Sequence, residues 1–125
     1  VSDEPVHLSQ MPPFQHYRAD PWPGIGLIGR YPINIWPRTL SWAFEWHDTD
    51  KPLVLRRGEP LFYVLFETTP QNRSVQLIEA EPTPELMEYL HQIAGVVNYV
   101  NQTFSLFKAA ESVRPPRLLK PSERR

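Results

Sequence analysis

The sequence predicts an α+β fold: an antiparallel β-sandwich or small barrel followed by a long C-terminal amphipathic helix. Three observations carry this expectation. Fifteen prolines in 125 residues exceed twice the average usage of about 5%, and most of them separate the apolar runs of the first two-thirds, which favours short strands there. In "RTLSWAFEWH", Leu40, Trp42, Phe44 and Trp46 alternate with Ser41, Ala43 and Glu45, the period-2 signature of a half-buried strand. After Pro82 the apolar spacing changes to threes and fours, the period of a helix. The organisation expected is an antiparallel β domain over 1–81, a helix over 82–113 packed on it or used for self-association, and a basic, proline-rich tail over 114–125.

Along the chain, "PVHLSQ" reads as a short strand and "MPPFQHYRADPWPG" as a long loop whose Phe14, Tyr17 and Trp22 pack down on the core. "GIGLIGRYPINIW" is extended and interrupted at Pro32. The aromatic strand over 40–46 ends in "DTDK", where aspartates bond their own backbone two residues on, so "PLVLR" is the returning strand. Gly58 and Glu59 form the next turn. The run over 61–66, "LFYVLF", is apolar at every position, which predicts a strand covered on both faces and therefore central in its sheet. "SVQLIEA" is the last strand.

The helix has a three-part start signal: Thr83 as cap, Pro84 in the first turn, and Glu85 beside the positive end of the dipole. Leu86, Leu90, Ile93, Val97, Val100, Phe104 and Phe107 then repeat down one stripe to about Ser112. Gly95 interrupts it at about 1 kcal/mol relative to Ala. The polar side is Asn, Gln and Thr in place of Glu/Lys pairs, so the helix is suited to meeting two partners. The stripe residues Leu90, Ile93, Val97, Val100 and Phe104 are the candidates for self-association into a homo-oligomer.

Bulk charge narrows the function. A net charge of −1 and a pI of about 6.5 give no polyanion-binding footprint. Cysteine is absent, which removes disulfides and thiolate chemistry and fits an intracellular or virion setting. There is neither a membrane-length apolar run nor a signal-peptide pattern. Because the chain begins at Val1 and enters a strand-like segment almost at once, an upstream segment that could complete a site is expected.

Candidate sites are sparse. Gly24, Gly26 and Gly29 spell G-x-G-x-x-G, but Pro21, Pro23 and Pro32 around them oppose the helix that a dinucleotide site needs, so they read as bends in a strand. Arg56, Arg57 and Glu59 surround the Gly58 turn and could hold an anion or one another. Arg114 and Arg117 begin a basic tail, the one place where nucleic acid could be touched. His7, His16, His47 and Asp48 are an alternative metal set for a cupin-like site, which would need them brought together from several strands. No cofactor is expected.

The succession "MPPF", "INIWPRTLSWAFEW", "GEPLFYVLFET" and "VQL" resembles the C-terminal half of an uncharacterised family of tailed marine bacteriophages and some bacteria. The similarity runs from about Val6 to Ala80, and Gly58-Glu59-Pro60 with the strand after it is its most specific part. Pro37-Arg38 stands where the family has Arg-Pro. The resemblance implies a phage-type origin, an absent N-terminal part, and a place in the cytoplasm of the infected bacterium or in the virion; it implies no activity. A strand, Gly turn and second apolar strand also resembles the barrel of dUTPase-like enzymes, whose acidic and serine motifs are missing. The function expected is therefore non-enzymatic binding or structural work through protein contacts, with a cupin-like metal enzyme or a nucleotide-binding barrel as alternatives.

Overall fold

A computed structural model describes residues 1–96 and 103–122. In chain order the elements are β1 (Val6–Met11), β2 (Gly24–Gly26), β3 (Gly29–Pro32), β4 (Phe44–Trp46), β5 (Tyr63–Thr68), α1 (Pro84–Val96) and α2 (Thr103–Ser112). The strands form two small antiparallel sheets, one in the order β3-β1-β5 and the other pairing β2 with β4. This corrects the expected architecture: the described residues contain neither a closed barrel nor a long C-terminal helix, and the sheets do not build a clear sandwich.

The central strand is β1, and the 61–66 run lies at an edge. "VHLSQM" alternates, so Val6, Leu8 and Gln10 are buried while His7, Ser9 and Met11 face the other way. Leu8 is opposed by Tyr31 on one side and Phe66 on the other. β5 is only partly covered: none of its residues is buried, and Leu65 is 51% exposed. The strand expected over 40–46 keeps its ladder only at 44–46, and neither "PLVLR" nor residues 74–79 enter a sheet. A single bridge, Ala80 to Pro121, closes that stretch.

The expected helix is two. α1 starts at Pro84 as anticipated, with Thr83 Oγ1 accepting the Leu86 N–H at 3.1 Å. Tyr89 in α1 nevertheless reaches the carbonyl of Ala110 in α2. In one continuous helix, residues 21 apart would stand about 31 Å apart, so the two helices pack side against side. Gly95 and the Val- and Asn-rich sequence after it have low helix propensity. Folding the two stripes together also lets both share one set of partners. The main core sits here: Leu86, Tyr89, Ile93 and Val96 of α1 close on Trp36, Ala110 and Leu118, and Trp36 meets Phe107 edge-on at 5.9 Å.

The start of the tail is tied into the fold. Arg114 donates to the carbonyls of Asn34 and Asp3, while the Asp3 carboxylate accepts the Leu118 and Leu119 amides. Glu81 N–H bonds Lys120 O and Ser122 N–H bonds Glu79 O. No helix among the described residues is long and apolar enough to cross a membrane.

Candidate functional site

The most developed surface is an aromatic face built on the β2–β4 ribbon. The register sets Gly24 opposite Trp46 and Gly26 opposite Phe44, so both glycines share a side with the rings. Phe44 packs on Trp42 at 5.1 Å and on Trp46 at 5.3 Å, and Trp22 closes on Trp42 at 5.4 Å. A Cβ on Gly26 would stand 2.6 Å from Trp42 Nε1, and one on Gly24 would meet the Glu45 carbonyl oxygen, with the Phe44 ring at 2.8 Å. The G-x-G pair is therefore the floor on which the rings lie. It is strand, not a phosphate loop, and the aromatics cover backbone that glycine leaves bare.

Trp22 joins this face to the loop before it. A cleft of about 600 Å³ runs between Pro12, Pro13, Phe14, Tyr17, Trp22 and Ile25. The loop packs down less than its composition suggested: Trp22 is partly buried and Phe14 stacks edge-on with Tyr63 at 5.6 Å, but Tyr17 is 86% exposed.

Arg18 organises the border between this cleft and the "RRGEP" turn. Its guanidinium lies 4.0 Å over the Trp22 ring, a cation–π contact. It pairs with Glu59 and donates through Nη2 to Pro60 O at 2.8 Å. Arg18 is nearly buried, and its Nε has no hydrogen-bond partner among the described residues. Glu59 also faces Arg56 at 3.7 Å, so of the candidates at this turn Arg56 and Glu59 hold one another, and Arg57 is exposed. Gly58 sits at φ +89°, a backbone conformation that side-chain-bearing residues rarely adopt. Lys51 fastens the loop from the other end, bonding the Asp20 carboxylate at 2.6 Å and Pro21 O at 2.7 Å. That bond holds the Asp20 carboxyl below the usual carboxylate range.

The other candidates are dispersed. Arg114 is occupied by backbone carbonyls and Arg117 is exposed. Of the self-association stripe, Ile93 is buried within the chain and Leu90 packs against the same core, while Phe104 is 84% exposed; Val97 and Val100 lie outside the described residues. His7 is on β1, His16 in the proline loop, and His47 follows β4 beside Glu45 and Asp48. Among the described residues no group of three or more His, Asp or Glu side chains is placed to hold a metal ion, so the set His7, His16, His47 and Asp48 does not converge.

Arg18 escaped the sequence reading. Nothing in "HYRADPW" distinguishes it from a solvated loop arginine, since its partners Glu59 and Pro60 lie some forty positions on. The aromatic alternation over 42–46 was the legible half of the site. No protein-family model, curated protein sequence or solved structure matches the chain.

Proposed function

We propose that the chain is a non-enzymatic, phage-type binding or structural protein that works through contacts with other protein, and that the aromatic face is its contact surface. One observation carries this reading. The chain presents 9432 Å² to solvent, where a compact monomer of its 14.6 kDa mass presents about 6,900 Å². The difference, about 2,500 Å², exceeds the roughly 800 Å² that each partner gives to a standard interface. Much of this surface is apolar. Phe14, Tyr17 and Trp46 are exposed on or beside the Gly-floored face, and Ile25, Leu27 and Ile28 are exposed along the same stretch of chain; exposed aromatic and aliphatic surface of this kind marks interaction sites.

The rings suit an interface core because they are already held. Trp22, Trp42, Phe44 and Trp46 support one another in edge-to-face and tilted contacts, and Arg18 fixes Trp22, so little side-chain freedom is lost on docking. The test is capture of partner proteins from infected bacteria, using the wild type and the double substitution Tyr17→Arg, Trp46→Arg. Capture of a partner protein that the double substitution abolishes is expected. A chain that captures nothing overturns the reading, as does capture indifferent to both arginines.

A further inference from the structure

We propose that residues 74–78 are a strand donated to a second copy of this chain, pairing with the open edge of that copy's β5, and that a two-fold axis makes the exchange reciprocal. The segment reads "SVQLI": alternating, uncharged, without proline or glycine, the composition of a strand. Yet none of residues 74–78 makes a hydrogen bond to another described residue. Val75, Leu77 and Ile78 are exposed, Leu77 at 79%. An apolar, strand-forming segment without a ladder is an incomplete structure, because its backbone groups pair readily with any edge that presents itself.

The matching edge is in the same chain. In the order β3-β1-β5 both outer strands have one side without a partner strand among the described residues. The β3 edge carries Arg30 and ends in Pro32, devices that blunt pairing. β5 reads "YVLFET", with no lysine, proline or glycine. Its single charge, Glu67, is turned inward across the sheet, accepting from Arg30 Nε at 2.9 Å and Ser9 Oγ at 3.1 Å. The unguarded edge and the unladdered segment are thus complementary halves of one strand pair.

Within one copy residues 74–78 make no hydrogen bond to β5. Thr68 Oγ1, at the end of β5, donates to Arg73 O at 3.3 Å, Arg73 is held by an ion pair with Glu4, and a cleft of about 490 Å³ lies between residues 74–76 on one side and Thr68 and the start of β1 on the other. A second copy supplies what one copy lacks, and isologous pairing satisfies both edges at once. The surplus surface described above is ample for an interface of standard size. The dimer does not depend on the aromatic face, so Tyr17→Arg, Trp46→Arg leaves it intact.

Because the chain has no cysteine, Leu65→Cys and Leu77→Cys each introduce a sole thiol. In full-length protein, mixing the two variants under mild oxidation is expected to yield a cross-linked species of twice 14.6 kDa, at least tenfold more than either variant alone. Adding Gln76→Pro, which removes a ladder donor, is expected to suppress the cross-link at least tenfold and to reduce the scattering mass to one chain, with the near-ultraviolet circular dichroism of the tryptophans unchanged. In the wild type, amides of 74–78 gain hydrogen-exchange protection only as concentration rises. A single-chain mass at every concentration overturns the proposal. So does a dimer indifferent to Gln76→Pro, a Leu65→Cys variant that cross-links as well alone as in the mixture, or protection of 74–78 that does not depend on concentration.

Discussion

Tyr89 joins three parts of the chain through one oxygen. Its ring is 1% exposed in the helical core, and its hydroxyl donates toward the carbonyls of Ile35 at 2.5 Å and Ala110 at 3.1 Å. Burial pushes the phenol up to about 12, with the nearby Arg114 charge opposing the shift and Glu111 adding to it. An unfolded tyrosine titrates near pH 10. The folded value is therefore raised, so the contribution of Tyr89 is complete below about pH 10 and is lost as pH climbs toward 12, when the unfolded chain ionises and the folded one resists. Thermal unfolding followed across this window is expected to lose on the order of 2 kcal/mol to this group. Tyr89→Phe removes that alkaline slope. It also leaves the Ile35 carbonyl without its phenol, which lowers stability at neutral pH by about 1–3 kcal/mol. An unchanged alkaline slope in Tyr89→Phe would assign the loss to other groups.

At the scale of elements, the β2–β4 ribbon depends on glycines chosen for what lies above them. With Trp42 Nε1 standing 2.6 Å from a Cβ at position 26, Gly26→Ala forces the indole aside and, through its packing on Trp22 and Phe44, disturbs the whole stack. Overpacking of this kind costs about 1–3 kcal/mol. Denaturant titration and the near-ultraviolet circular dichroism of the tryptophans check both effects; an unaltered aromatic spectrum would show that the ring stack does not rest on this glycine. The ribbon also shows what a sequence can and cannot disclose. The alternation Trp42, Phe44, Trp46 was readable, as were the strand at β1 and the α1 start at Thr83, Pro84 and Glu85, because each is set by neighbours within a few residues. The place of β5 was not readable. "LFYVLF" reports which side chains are apolar, whereas whether Leu65 is covered depends on what packs across the sheet from elsewhere. The break between α1 and α2 was hidden in the same way. The stripe is continuous in sequence, and it is Trp36 and Leu118, brought in from elsewhere to meet both helices, that make two short helices better packed than one.

For the whole molecule, the decisive quantity is how much surface folding removes from water. The unfolded chain exposes about 21,000 Å² for its mass. The folded one retains 9432 Å², so folding one copy buries about a fifth less than a compact monomer of this size would. The core is correspondingly local, concentrated where the helices, Trp36 and the returning C-terminal stretch meet, while the three-stranded sheet and the aromatic ribbon each keep an open face. The dependence of stability on denaturant scales with the area exposed on unfolding. Dilute protein is thus expected to unfold in guanidinium with a slope about a fifth below that of compact monomers of equal length. At concentrations where the chain assembles, the slope and the midpoint are both expected to rise, since partner binding buries further surface and adds its own stabilisation by mass action. A slope already at the compact-monomer value in dilute solution, and unchanged on concentration, would mean that the open faces close within a single chain and that its apolar surface is not held ready for another molecule.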